Sequence, residues 1–190
     1  MSVRPFERLG SKTLFEASVF TLRCDDVRSP RTGHEMRAFV LETGGWVNVV
    51  PVTPQGDVVL VRQWRHGTRS VTLEIPGGLI DPEDESPAIA AARELREETG
   101  YEAARLVYLG TVLPNPAIQS TVCHTFLAED VRRVGAQNLD HGEDIVVETV
   151  PLARIPALMA EGEIRHALVV AAFAHLERYR AGLLPVAFEG

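Results

Sequence analysis

Cysteine is almost missing from this chain: Cys24 and Cys123 are the only two in 190 residues. They form no CxxC pair, which excludes a disulfide framework and a cysteine-rich zinc site and leaves two reduced, structural thiols as the expectation. Long apolar runs are missing too. The longest nearly apolar stretch, Ala167 to Leu176, falls far short of the roughly 20 residues that cross a bilayer. The N-terminal MSVRPFERLGSK has no apolar segment of signal-peptide type, so the expected location is cytoplasmic, with no membrane partner. Basic charge is in deficit. With 19 Lys and Arg against 26 Asp and Glu the net charge is −7, and no basic stripe offsets it, which argues against nucleic acid as a partner. A small anionic ligand remains compatible if a cation and a few placed arginines reverse the local field. No repeat, low-complexity run or Pro/Ser/Gly linker marks a boundary. The expectation is one domain over 1–190, with 1–45 as an N-terminal strand extension and 46–190 as the core.

What is present is an ordinary globular composition, 45 % apolar and 24 % charged. Residues 13–25 and 36–43 read as strands joined by the turn-rich VRSPRTGHE. Residues 46–53 and 58–64 read as two more, joined by Pro54-Gln55-Gly56-Asp57. The run VVLV is apolar on both faces, as a covered central strand requires. A helix is expected over 86–99, with Ser86 as N-cap, Pro87 in the first turn and Gly100 as the stop. Strands follow near 105–113, 121–128 and 145–151, then helices over 152–160 and 165–180. The alternation lacks a regular βαβ rhythm. That predicts an α/β (α+β) fold, a mixed sheet sandwiched between helices with an antiparallel N-terminal strand extension.

The stretch GGLIDPEDESPAIAAARELREETGY poses a chemical problem. Glu94, Glu97 and Glu98 fall at i, i+3 and i+4, so all three project from one helical face. Ala88, Ala91, Ala92 and Leu95 form an apolar stripe about a quarter-turn away, taking about 100° per residue. Like charges at this spacing repel, and a divalent cation would turn that repulsion into binding. Mg²⁺ suits the site because it wants hard oxygen ligands and completes its shell with water and phosphate; Mn²⁺ is the alternative. The competing arrangement is a solvated face in which the glutamates pair with Arg93, Arg96 or Arg105.

The residues Glu85, seven intervening positions, then Arg93-Glu94-Leu95-Arg96-Glu97-Glu98-Thr99-Gly100-Tyr101 resemble the second half of the Nudix hydrolase signature. The chain departs from it in having six residues, rather than five, between Gly78 and Glu85. The resemblance implies hydrolysis of a nucleoside diphosphate linked to another group. Glu94, Glu97 and Glu98 would bind metal, with Gly77 offering its carbonyl; Arg93 would orient the glutamates, while Glu85 and Gly78 would play supporting parts. The flanks VVLVRQWRHG and LEIPGGLID are similar to the ADP-ribose pyrophosphatase and nucleoside diphosphate sugar hydrolase branch. Its N-terminal strands usually support a homodimer.

In that branch an acidic loop supplies the general base, which here points to Glu143, with Asp144 second. A positioned carboxylate there would accept the proton of the attacking water. Arg65 and Arg62 are candidates to grip the diphosphate through their guanidinium forks, Arg65 foremost because it ends the strand. Trp46 is a candidate stacking platform for a base, with core packing as the alternative. Glu74, inside LEIPGG, completes the substrate-binding set. The expected reaction is Mg²⁺-dependent cleavage of ADP-ribose or a related nucleotide sugar to a nucleoside monophosphate and a sugar phosphate. The alternatives are a dinucleoside polyphosphate, coenzyme A or a nucleoside triphosphate as substrate, or a non-catalytic nucleotide-binding protein of the same fold.

Overall fold

The structure is a computed structural model that describes residues 2–183; residue 1 and residues 184–190 of the expected 1–190 domain lie outside the described residues. The described chain divides into two compact units, one formed by the residues up to Gly44 together with Leu113–Val122, the other by Gly45–Val112 and the chain from Cys123.

The first unit is a three-stranded antiparallel sheet of β1 (Glu7–Glu16), β2 (Thr21–Arg28) and β3 (Glu35–Glu42), in that spatial order. The expected strand 13–25 is therefore two strands folded back on each other. Ala17 N–H donates to Phe20 C=O at 2.9 Å to close the turn, and Phe15 and Phe20 approach across it with ring centroids 6.1 Å apart. The connecting residues ASVF contain no Gly, Pro, Asn or Asp, and Ser18 alone is a weak turn signal.

The second unit is built on β4 (Trp46–Val52), β5 (Asp57–Arg65), β6 (Ser70–Glu74) and β7 (Gly77–Leu79), followed by helix α1 (Pro87–Thr99) and the short β8 (Tyr101–Glu102). Then come β9 (Arg105–Val112), β10 (Cys123–Glu129), β11 (Arg132–Arg133) and β12 (Ile145–Pro151). A 3-10 turn, Leu152–Arg154, leads into α2 (Ile155–Ala160), and α3 (Ala167–Arg180) ends the described structure. The turn is 3-10 because Pro156 has no N–H to bond back to Leu152, whose carbonyl is taken by Ile155 instead.

The main sheet has seven strands, ordered β12-β5-β4-β10-β9 with β6 on β5 and β7 on β4. It is mixed: β10 runs parallel to β4 and antiparallel to β9. Strand alternation sends the two sides of β4 and β5 into separate cores. Val47, Val49 and Val59 pack with Ala90, Ala91 and Leu95 of α1, whereas Val50, Val58 and Leu60 pack with Ile155 of α2 and Val169, Phe173 and Leu176 of α3. Covered on both faces, Val58–Val61 are fully buried, which accounts for their continuous apolar run. Among the described residues no helix is long and apolar enough to cross a membrane.

Candidate active site

Helix α1 begins where the sequence supplies an acceptor: Ser86 Oγ receives the N–H of Ile89 at 3.3 Å. It ends at Gly100, whose N–H still bonds the Arg96 carbonyl and whose φ of 75° turns the following chain out of the helix. Ala90, Ala91 and Leu95 bury against the sheet, while Ala92, expected in that stripe, faces outward. The rotation also takes two of the glutamates inside. Glu94 is 9 % exposed and Glu98 only 2 %. They are not displayed on a solvated edge; they are buried at the sheet.

Burial drives both carboxyls up, Glu94 to about 7 and Glu98 to about 8. Desolvation is the main cause in each case, and neighbouring carboxylates add to it. The protein compensates only partly. Glu98 accepts the Gly77 N–H at 3.0 Å. Arg93 Nη1 donates to Glu94 at 2.9 Å and to Glu97 at 3.0 Å. The other edge of Arg93 is fixed by Asp84, at 2.8 and 3.2 Å, and by the Leu79 carbonyl at 3.0 Å. With Asp84 as the largest cause, its guanidinium is held well above the ordinary range.

This corrects the expectation for Glu85. Glu85 is exposed, and Asp84 takes the supporting pairing with Arg93. A signal for this lay in the sequence: five residues separate Gly78 from Asp84, the spacing that the signature gives to its acidic residue.

A second charge group, built on the buried Glu74, adjoins the first. Arg65 forks onto Glu74 at 2.9 and 2.7 Å, and Thr72 Oγ1 donates to Glu74 at 2.6 Å. His166 Nδ1 lies 2.9 Å from Glu74, an ion pair when the ring is protonated, although the approach is poorly aligned for a hydrogen bond. Burial alone would raise the Glu74 carboxyl, but Arg65 and His166 hold it well below the usual carboxylate range. Arg65 feels the charges of Glu98 and Glu143 as well as that of Glu74. His166 had no assignment from sequence, since nothing local marks a histidine before a helix as a partner for a glutamate in a distant strand.

Glu143 is exposed, in the loop before β12, and its charge reaches Glu94, Glu98 and Arg65. Its carboxylate accepts the Asp140 N–H at 3.2 Å, while its own N–H donates to the Asp140 carbonyl at 3.0 Å. Two other candidates point away from this group. Arg62 alternates onto the face shared by Leu60 and Val58 and pairs with Glu148 at 3.0 Å and Glu163 at 3.4 Å. Trp46 alternates with Val47 and so shares the side of Val50; its indole N–H donates to Asn48 Oδ1 at 3.0 Å. The pleat of a strand reverses direction at each residue, and these two fall on the reversed side.

The donor set fits a hard divalent cation. Two buried carboxylates with raised proton affinity lie beside a third, and the β7 backbone runs close against them. That approach needs glycine, because a Cβ on Gly78 would collide with the Glu94 carboxylate. Gly77 contributes its N–H to Glu98 in the arrangement seen. Among the described residues no three His, Cys, Asp or Glu side chains already converge as a metal-ligating group. Arg93 and the Gly77 N–H occupy the oxygens that a cation would take over.

Comparison with known proteins is consistent across sequence and fold. The chain is 34 % identical over 172 residues to an ADP-ribose pyrophosphatase of Mycobacterium tuberculosis, covering 90 % of this chain and 83 % of that protein. It is 29 % identical over 170 residues to an ADP-ribose pyrophosphatase of Bacillus subtilis, covering 89 % and 91 % of the two chains. A crystal structure of an ADP compounds hydrolase superposes with a TM-score of 0.84 at 27 % identity, covering 96 % of this chain and 97 % of that one. The family model for the NUDIX domain matches residues 44–173, which include β4 to β12, α1 and its glutamates. This chain belongs to the NUDIX family.

Proposed function

We propose that the protein is a divalent-cation-dependent pyrophosphohydrolase that splits ADP-ribose or a related nucleoside diphosphate sugar into a nucleoside monophosphate and a sugar phosphate. The observation that carries this reading is the buried pair Glu94 and Glu98 on the helix of the family motif, beside Arg65 and within the field of Glu143. Similarity to proteins named as ADP-ribose pyrophosphatases over most of the chain supports the substrate class. A cation held by Glu94, Glu97 and Glu98 would neutralise phosphate charge and lower the pKa of the attacking water. Mg²⁺ is proposed first and Mn²⁺ second, as both favour oxygen donors.

The residues divide the remaining work. Arg93 keeps Glu94 and Glu97 in register. Arg65, steadied by Glu74, presents its guanidinium edge to a phosphate oxygen. Glu143 accepts the proton of the attacking water. Exposed Phe6, Leu9, Leu14, Phe15 and Phe39 on the first unit support a homodimer, which light scattering would test. We also place the protein in the cytoplasm as one domain. The test of the activity is a panel of nucleotide sugars, dinucleotides and triphosphates with Mg²⁺ or Mn²⁺, with products identified by mass. Rapid release of AMP and ribose 5-phosphate from ADP-ribose is expected; turnover of triphosphates alone would refute the assignment.

A further inference from the structure

The last turn of α1 leaves carbonyls with no intrahelical partner, as every helix does. Here they are taken by one strap of chain, residues 134–138. Val134 N–H donates to Gly100 C=O at 2.9 Å, and Asn138 N–H donates to Glu97 C=O at 2.9 Å. Arg96 of the helix reaches back to the Ala136 carbonyl at 2.9 Å. Between these lies Gln137, half-buried, whose Nε2 donates to two main-chain carbonyls at once: Glu98 on α1 at 2.6 Å and Ile145, the first residue of β12, at 3.0 Å. Both partners are acceptors only, which fixes the amide orientation.

The consequence is geometric. The loop 138–144, which carries Glu143, leaves the strap at Asn138 and rejoins the sheet at Ile145. Gln137 clamps both points to the backbone of Glu98. A single side-chain amide therefore ties the start and the end of that loop to Glu98, the most deeply buried of Glu94, Glu97 and Glu98.

We infer that Gln137 is a positioning residue that sets the reach of Glu143 over Glu94 and Glu98. This rests on the reading of Glu143 as the proton acceptor, and it acts through Glu143 rather than on substrate. Neither carbonyl is in the reacting group, so the role is mechanical: without the clamp the seven-residue loop keeps its backbone anchors, Asn138 on Glu97 and Ile145 on β5, but loses the side-chain tie between its two ends. Outer partners of this kind typically change activity by about 10- to 100-fold when removed.

The test uses the full chain with Gln137→Leu, and with Gln137→Met as a second variant that keeps side-chain length and removes both donor hydrogens. Three readouts are taken: hydrogen exchange of residues 138–144, the split between kcat and KM on ADP-ribose, and kcat in a Glu143→Gln background. The expected results are exchange in the loop faster by about tenfold or more, kcat lower by about 10- to 100-fold with KM within about threefold, and less than about threefold further loss when Gln137→Leu is added to Glu143→Gln. Unchanged loop exchange in both variants would overturn the clamp. A full, multiplicative loss on top of Glu143→Gln would overturn its action through Glu143. Parental kcat in Glu143→Gln alone would refute the reading of Glu143, and with it the catalytic part of the inference, while loop exchange would still decide the clamp.

Discussion

The two faces of the main sheet are chemically unlike. The face toward α2 and α3 holds an apolar core in which Leu60, Leu73, Leu109 and Leu176 are essentially fully buried. The face toward α1 buries apolar residues as well, but it also takes in Glu94 and Glu98. Nearby, on strands β5 and β6, Arg65 grips the buried Glu74. Burying a carboxylate with incomplete compensation lowers stability, and well-packed apolar residues of similar volume are often as stable or more so. Packing alone therefore explains the first face and not the second. On the proposed function, the α1 face gives up folding energy to keep carboxylate oxygens in position for a cation.

If so, the two faces respond oppositely to mutation. Glu98→Gln replaces a carboxyl whose ionised form burial opposes, so the variant should be at least as stable as the parent without metal. Its turnover with Mg²⁺ should fall by roughly a thousandfold, since cation stabilisation is worth several kcal/mol and each 1.4 kcal/mol is tenfold. Thermal melting and steady-state kinetics on one preparation would check both. Leu176→Ala on the other face should do the reverse: unfolding free energy drops by about 2–5 kcal/mol from lost burial and a residual cavity. Its activity per folded molecule stays near the parental value. Loss of activity from both, with equal destabilisation, would erase the contrast.

The contrast can be sharpened with protons. Glu94 and Glu98 titrate near 7 and 8 in the native protein against 4.5 for a free glutamate. Between about pH 4.5 and 8 the native state therefore binds more protons than the unfolded chain, and metal-free stability must fall as pH rises through that window. Saturating Mg²⁺ should flatten or reverse the slope, because the cation displaces those protons. Denaturant unfolding at several pH values with EDTA or Mg²⁺ measures this directly. The smallest effect is expected at Arg62, which lies on the strand face opposite to Glu94 and Glu98 and pairs with Glu148 and Glu163. Arg62→Ala should cost about 0–1 kcal/mol, as part-exposed ion pairs do, and should leave kcat/KM within about twofold.

Much of this layout could be read from the sequence because it depends on local rules. Ser86, Pro87 and Gly100 bound α1 through capping and backbone conformation alone, and the i, i+3, i+4 spacing puts three glutamates on one side. The unreadable parts depend on register and tertiary contact. Whether Glu94 and Glu98 were buried or solvated depended on how α1 rotates on the sheet, and Ala90 rather than Ala92 settled it. Arg62 and Arg65 look equivalent as phosphate grips, yet odd and even positions of β5 face different cores. Asp84 was hidden by its neighbour Glu85, although spacing from Gly78 pointed to it. His166 and Gln137 were invisible, because each finds its partner through a fold that no local pattern encodes.

The most direct measurement of the central claim is anomalous diffraction from crystals soaked in Mn²⁺. A peak is expected within about 2.0–2.4 Å of carboxylate oxygens from Glu94 and Glu98, with Arg93 displaced from Glu94. No peak at that position, with Glu94 still on Arg93 and Glu98 still on the Gly77 N–H, would contradict it.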